Sequence, residues 1–226
     1  MAPLHWLFAS CYKEWLKIRW IWSATLLLNL AVLAYLFIDM RHQFRLEHSE
    51  MIWYWSFELR RLLYSVVKYL PLLSGILLAA AQFIPEMLGG RFRLSLHLPV
   101  RSDWLIWSWV GFGALAGAVL ALLNLAGLYL IMANWFPHEA ARSAVLTALP
   151  WLLAGWVAYF GTALVLLEPV ALRRLLYLLI SVGYVGLLYQ ETGYQEYDRV
   201  MLVFSFSALL FIPALALPVY RYRYRS

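Results

Sequence analysis

Long runs without a charged residue divide the chain into six apolar segments. Asp, Glu, Lys and Arg are absent from residues 20–38, 69–85, 104–138, 143–167, 175–190 and 200–220. A helix that crosses a bilayer needs about 20 largely apolar residues, because the hydrocarbon core is about 30 Å thick and each residue adds about 1.5 Å. The pattern therefore predicts six transmembrane helices, at about 20–38, 62–85, 104–133, 144–167, 172–190 and 200–220.

These segments follow one another closely, so a separate soluble domain has no room between them. We expect an all-α polytopic membrane protein with one six-span domain, residues 20–220, and a short basic cytoplasmic tail, residues 221–226. The composition agrees, because 64% of the residues are hydrophobic and 13% are charged, whereas about 25% are charged in soluble proteins. This composition excludes a soluble enzyme and a nucleic-acid-binding module.

The residues before the first apolar segment are amphipathic rather than uniformly apolar. On a helix, one face carries Leu4, Leu7, Phe8, Cys11, Trp15 and Ile18. The charged residues of this stretch are Lys13, Glu14, Lys17 and Arg19. This pattern is typical of a helix that lies in the membrane interface, and we predict such a helix over residues 1–19. A plain cytoplasmic extension of the first span is the alternative.

Basic residues are distributed unevenly between the two predicted sides of the membrane. If the N-terminus is cytoplasmic, that side carries Lys13, Lys17, Arg19, Arg91, Arg93, Arg101, Arg173, Arg174, Arg221, Arg223 and Arg225. The other side carries the remaining seven basic residues. Because Lys and Arg concentrate on the cytoplasmic side of membrane proteins, we predict that both termini are cytoplasmic. The net charge of +6 then indicates contact with anionic lipid rather than with nucleic acid.

Side chains that perform catalysis or bind metals are missing from the middle of the six segments. All five histidines lie in the termini or loops, and no two have the i, i+4 spacing of a helical metal site. We therefore predict no catalytic residue, no metal and no cofactor in this chain. The deepest strongly polar side chains are Asn29 and Asn124, which we interpret as interhelical hydrogen-bonding groups, with a role as substrate ligands as the alternative.

Small residues recur on the third predicted span. Gly113 and Gly117 form a G-x-x-x-G pattern, in which two helices approach closely because no side chain intervenes. We predict that this face packs on another helix, of this chain or of a second one.

The predicted cytoplasmic loop between spans two and three, residues 85–104, is too long and too apolar for a simple turn. Leu94 and Leu98 are one helical turn apart, beside Arg91, and Pro99 ends the predicted helix. Such a helix is typical of a docking segment.

This loop resembles the coupling helix of ABC-2 type (type V) ABC transporter permeases. The similarity lies in a Glu, a Gly, a Leu-rich stretch and a Pro nine residues after the Gly, here Glu86, Gly90, Leu94, Leu98 and Pro99. The N-terminal amphipathic helix is similar to the interfacial connecting helix of that family, and the six spans agree along the whole chain. The family commonly has a Lys shortly after the Pro and a re-entrant hairpin between spans five and six; this sequence has neither pattern.

The resemblance implies a permease subunit of an ATP-driven exporter in a bacterial cytoplasmic (inner) membrane. It implies a partner ABC ATPase, which holds ATP and Mg and docks on Glu86, Gly90, Arg91, Leu94, Leu98, Pro99 and the N-terminal helix. Hydrolysis then occurs in that partner, so this chain is not itself an enzyme. The resemblance also implies a second permease chain, identical or related, with which the transport pathway is formed.

Two other classes of function remain open at this point. The first is a scaffold or assembly subunit of a larger membrane complex, whose inner helix docks some other cytoplasmic protein. The second is a membrane-integral enzyme, which the absence of deep ionisable residues disfavours.

The charge asymmetry gives a testable topology. In a Cys11→Ser background, Glu47→Cys and Glu196→Cys should react with a membrane-impermeant thiol reagent added outside intact cells, because both positions belong to the side with fewer basic residues. The measurement is the labelled fraction before and after permeabilisation. Labelling that requires permeabilisation would reverse the predicted topology.

Overall fold

The computed structural model describes residues 3–88, 91–96, 102–190 and 193–224, and these residues are mostly helical, with no strand among them. The long helices are α1 (Pro3–Leu46), α3 (Leu70–Met87), α5 (Ser102–Trp135), α6 (His138–Leu167) and α7 (Ala171–Tyr189). The short helices are α2 (Ser49–Trp53), α4 (Arg91–Leu96), α8 (Met201–Ala208), α9 (Phe211–Ala214) and α10 (Ala216–Tyr224). A π-helix, Tyr54–Glu58, follows α2, and a 3-10 helix, Ser65–Tyr69, precedes α3.

Within the described ranges, six helical stretches are long and apolar enough to cross a membrane. They are Phe8–Leu46, Ser65–Met87, Trp104–Trp135, His138–Leu167, Ala171–Tyr189 and Met201–Tyr222. The prediction of an all-α chain with six apolar helices is therefore confirmed, and the chain has the architecture of a multi-pass membrane protein.

The first predicted span is part of a much longer helix than expected. α1 has 44 residues and continues without a break through residue 19, because neither Gly nor Pro occurs between Leu4 and Leu46. At about 1.5 Å per residue the helix is about 66 Å long, twice the thickness of a hydrocarbon core. The amphipathic N-terminal residues are thus the first part of α1, and their interfacial position stays a prediction.

Two other boundaries differ from the predicted ones. α6 begins at His138 rather than at residue 144, so only Phe136 and Pro137 separate it from α5. Glu139 and Arg142 limit the apolar run, but charged residues do not prevent a helix from extending beyond the membrane. The last span is divided into α8, α9 and α10. Pro213 and Pro218 lie in the two later pieces, and a proline has no N–H to continue the helical hydrogen-bond ladder.

α6 is the central helix of the bundle, packed against α3, α5 and α7. Its contact with α3 is a backbone contact: a Cβ atom added to Gly75 would lie 2.2 Å from the carbonyl oxygen of Gly155. α7 is peripheral, because Ser181 and Leu188 are its buried residues and its leucines are mostly exposed. An apolar outer face is expected where lipid, rather than water, surrounds a helix.

The glycines of the G-x-x-x-G pattern face the interior of this same chain. A Cβ atom on Gly113 would lie 1.9 Å from the hydroxyl oxygen of Tyr159 and 2.3 Å from Oε1 of Gln82. A Cβ atom on Gly117 would meet only Leu78 Cδ1, at 3.7 Å, which is an ordinary contact. The two positions therefore differ, with close packing at Gly113 and free space at Gly117.

This difference gives a matched pair of substitutions on α5. Gly113→Ala should lower the apparent melting temperature, because the new methyl group separates Tyr159 from Gln82 and leaves buried polar atoms unpaired, at about 1–3 kcal/mol. Gly117→Ala should stay near the wild-type temperature. Heating in detergent, followed by fluorescence-detected size exclusion, measures both. Equal shifts for the two variants would contradict the assigned packing.

Candidate functional site

A groove of about 610 Å³ lies between the N-terminal part of α1 and the short helix α4. Its α1 side includes Tyr12, Lys13 and Leu16, and its α4 side includes Arg91, Leu94 and Ser95. The end of α3 closes the groove at Pro85 and Glu86. The N-terminal helix and the predicted coupling segment, which are more than 70 residues apart in the sequence, thus form one site.

The floor of the groove is a cluster of charges that neutralise one another. Nζ of Lys13 lies 2.8 Å from Oε1 of Glu86, and Nζ of Lys17 lies 2.5 Å from the same oxygen. Nζ of Lys17 also lies 2.5 Å from Oε1 of Glu14. Both carboxylates are buried, so they are stable in the ionised form only because the lysines pair with them. We call these four residues the ionic cluster.

Hydrogen bonds extend the ionic cluster to two further helices. Nε2 of Gln82 donates to Oε2 of Glu14 at 3.0 Å and to the carbonyl oxygen of Trp109 at 2.8 Å. The hydroxyl of Tyr159 donates to Oε1 of Gln82 at 2.7 Å. Both lysine ammonium groups also lie about 5 Å from the centre of the Trp109 ring, close enough for cation–π attraction. Through these contacts the network joins α1, α3, α5 and α6.

The structure changes the interpretation of Glu86. We expected this side chain to belong to the surface on which the ATPase docks, but it is buried and paired with two lysines of its own chain. It therefore joins the predicted coupling segment to α1. Arg91 and Leu94 are exposed on the wall of the groove, as a docking role requires. Gly90, Leu98 and Pro99 lie outside the described residues.

Arg19 does not belong to the ionic cluster. Its guanidinium group lies 5.3 Å from the centre of the neighbouring Trp20 ring, and Trp20 is itself exposed. Of the charged residues predicted for the N-terminal helix, the cluster thus includes the other three.

Phe92 anchors α4 to the bundle, a role that the sequence analysis missed. The side chain is buried, with its ring centre 6.3 Å from that of Trp109 on α5 and 5.1 Å from that of Tyr222 on α10. Residues two apart on a helix point in nearly opposite directions, so a buried Phe92 places Leu94 outward. In the sequence this residue appears only as an aromatic residue between two arginines. That pattern does not show whether the ring is buried.

A third buried carboxylate holds the C-terminal helix. Glu168, directly after α6, pairs with Arg221 of α10. Nη2 of Arg174 donates to the backbone oxygen of Glu168 at 2.8 Å. At least one residue of the predicted basic tail is therefore bound to the bundle rather than free.

A polar layer lies deeper in the bundle, between two hydrophobic clusters. Nδ2 of Asn124 donates to Oδ1 of Asn29 at 2.7 Å, and Nδ2 of Asn29 donates to Oγ of Ser74 at 3.2 Å. The predicted interhelical hydrogen bond is present, and it joins α1, α3 and α5. On each helix an apolar residue four positions away belongs to one of these two clusters, namely Leu33, Leu70 and Leu128.

The structure places no candidate metal-binding site among the residues that it describes. No group of three or more His, Cys, Asp and Glu side chains is placed there to bind a metal ion. The buried carboxylates instead have lysine or arginine partners.

Comparison with other proteins gives no assignment. No family model, no curated protein and no solved structure matches this chain. The functional conclusion therefore depends on the groove and on the ionic cluster beneath it.

The two lysines of the ionic cluster differ in exposure, which gives a second matched pair. The side chain of Lys17 is 13% exposed and bridges both carboxylates, whereas that of Lys13 is 48% exposed. Lys17→Met should destabilise the protein by about 3 kcal/mol, because it leaves buried charge unpaired. Lys13→Met should cost less than about 1 kcal/mol, because solvent screens its pair.

Thermal unfolding of the purified protein in one detergent measures both variants. Lys17→Arg is the control, since it keeps the charge. If Lys13→Met were as destabilising as Lys17→Met, the buried cluster would not be the stabilising feature of this end of the bundle.

Proposed function

We propose that this chain is the membrane-spanning permease subunit of an ABC-2 type ATP-driven exporter, and that a separate ATPase docks in the groove between α1 and α4. The observation that carries the proposal is the position of Leu94, which is 70% exposed on a helix whose opposite side is anchored by Phe92. ATP and Mg bind in the partner, and this chain performs no catalysis.

The walls of the groove are suited to contact with a protein partner rather than with solvent. Tyr12 and Leu16 on α1 are exposed toward it, as is Leu94 on α4. The same end of the bundle is the basic, predicted cytoplasmic end, where lipid tails do not cover apolar side chains. An apolar groove in that position needs an apolar face of another protein to cover it.

The remaining charges of the groove define the complementary surface. Glu86 is neutralised within the chain, so the exposed charges are those of Arg91 and of the partly exposed Lys13. A partner with apolar residues and a nearby carboxylate is complementary to this groove. Charges at the rim of an interface orient the partner and accelerate association more than they add affinity.

The contacts of α4 provide a route from docking to movement. α4 contacts α5 and α10 through Phe92, and Glu86, near the end of the preceding helix α3, pairs with α1. A displacement of α4 by the ATPase is thereby transmitted to several spans as a rigid-body movement. Transport then follows from different docking of the ATP-bound and ATP-free partner, with the pathway between two permease chains.

Leu94→Asp tests the docking site. It should abolish co-purification of an ATPase with the tagged chain in mild detergent, because an unpaired carboxylate in the interface costs several kcal/mol. Leu59→Asp is the matched control, since Leu59 is similarly exposed but lies between spans one and two, at the opposite end. Arg91→Ala should weaken co-purification less, and its effect should diminish as salt concentration rises.

Mass spectrometry of the co-purified proteins and ATP hydrolysis by the isolated complex are the two measurements. Wild-type binding and hydrolysis with Leu94→Asp would refute the docking site. If Leu94→Asp instead removed a bound protein without ATPase activity, the scaffold function would replace the transporter.

A further inference from the structure

An open pocket of about 480 Å³ lies between the end of α7 and the beginning of α8. Its volume is in the range of small-molecule sites, about 300–1,000 Å³. The two helices belong to the candidate spans Ala171–Tyr189 and Met201–Tyr222, so the pocket lies where the chain leaves the apolar part of the membrane and returns to it. Six residues line it, namely Leu187, Gln190, Glu196, Tyr197, Val200 and Phe204.

The walls of this pocket are accessible from the surroundings of the protein. Leu187 is 51% exposed and Val200 is 43% exposed. Gln190 and Glu196 are exposed as well. A ligand therefore reaches both the apolar and the polar side chains without displacing a helix.

Two aromatic rings line the pocket and are held in place by their own contacts. The ring centres of Tyr197 and Phe204 lie 5.9 Å apart, with the ring planes at 69°. The hydroxyl of Tyr197 donates to the backbone oxygen of Leu187. The ring of Tyr184 on α7 packs nearly at a right angle to that of Phe204, with the centres 5.8 Å apart. Such rings attract a cation that lies within about 6 Å of their centres.

Glu196 adds a negative charge to the same pocket. Within the described ranges no ion pair joins it to a basic side chain. A Cβ atom added to Gly193 would clash with Oε1 of Glu196, so the carboxylate is folded back over the Gly193 backbone. The N–H of Gln195 donates to Oγ1 of Thr147 on α6 at 3.2 Å. The segment that carries Glu196 is thereby attached to the bundle.

The lining favours a quaternary ammonium group over other cations. A primary ammonium has three N–H donors to satisfy, and a metal ion needs several oxygen ligands. Only Gln190 and Glu196 offer side-chain oxygens that are free of a role in ring placement, whereas the other four lining residues offer apolar or aromatic surface. A trimethylammonium group has no N–H, and its methyl groups pack on such surface while its charge faces the rings.

We infer that this pocket binds a trimethylammonium group, the cationic end of choline, with its charge near Glu196 and its methyl groups against the rings of Tyr197 and Phe204. The headgroup of phosphatidylcholine and free choline both carry this group. The site belongs to the single chain and does not depend on the proposed transport function.

Photolabelling in nanodiscs of phosphatidylethanolamine and phosphatidylglycerol tests this site. The probe is a choline in which one N-methyl group is replaced by a short alkyl diazirine, and mass spectrometry identifies the labelled peptides. Labels should concentrate on residues 187–204. Unlabelled choline should compete about tenfold more strongly than its uncharged analogue with carbon in place of nitrogen, because only the cation is attracted by the rings and the carboxylate.

A second set of nanodiscs distinguishes the two sources of the group, with phosphatidylcholine in place of phosphatidylethanolamine. Loss of the labels in these nanodiscs would assign the pocket to the lipid headgroup. Labels that persist there and are displaced by soluble choline would assign it to a free ligand. Either result supports a trimethylammonium site.

Two matched pairs of variants test the assigned residues. Glu196→Gln should lower the preference for choline over the uncharged analogue about threefold, whereas Glu139→Gln, an exposed carboxylate at the start of α6, should leave it unchanged. Phe204→Leu should also lower the preference about threefold. Phe206→Leu is its control, because Phe206 is 70% exposed on the same helix and does not line the pocket. The preference is a ratio, so it is independent of how much protein folds.

Three results would overturn the inference. Equal competition by choline and by its uncharged analogue would show that the pocket does not recognise the charge. Competition by ethanolamine as strong as that by choline would show that it does not recognise the methyl groups. Wild-type preference in both Glu196→Gln and Phe204→Leu would show that the labels report another site.

Discussion

Glu14 and Glu86 place two carboxylates inside the bundle, and the arrangement of its basic end depends on neutralising them. A buried carboxylate costs several kcal/mol unless a cation and hydrogen bonds compensate for lost water. Lys17 provides that compensation for both groups, and Lys13 adds a second cation for Glu86. The pairs with Glu86 link α1 to α3, because a shift of one helix along the other would separate Lys13 and Lys17 from that carboxylate.

The position of the groove follows from this pairing. α1 supplies one wall because its lysines are held at the end of α3, and α4 supplies the other because Phe92 is buried between α5 and α10. Leu94 is then left on the surface. A docking partner that moves α4 acts on Phe92, which is packed against α5 and α10, and this contact is the physical basis of the proposed coupling.

Two polar layers specify the packing of helices whose surfaces are otherwise uniformly apolar. Leucine-rich helices in lipid have little preference for one rotation over another, because lipid tails are as apolar as the helix contacts. Hydrogen bonds from Gln82 and Asn124 have defined directions, and each joins particular helices. The direction of each hydrogen bond thereby selects one rotation of the helices that it joins.

The sequence by itself determined the class of the protein and the number of apolar helices. A run of about 20 residues without charge is a local property of the sequence, and it is the property that allows a helix to cross the hydrocarbon core. It also identified Leu94 and the deep asparagines, which stand out against their neighbours. Only the tertiary structure decided that Glu86 faces inward, that Gly113 packs closely while Gly117 does not, and that Phe92 is the anchor of α4. These outcomes depend on contacts between residues up to 130 positions apart, as between Phe92 and Tyr222, and periodicity along one helix contains no information about which neighbour lies across from it.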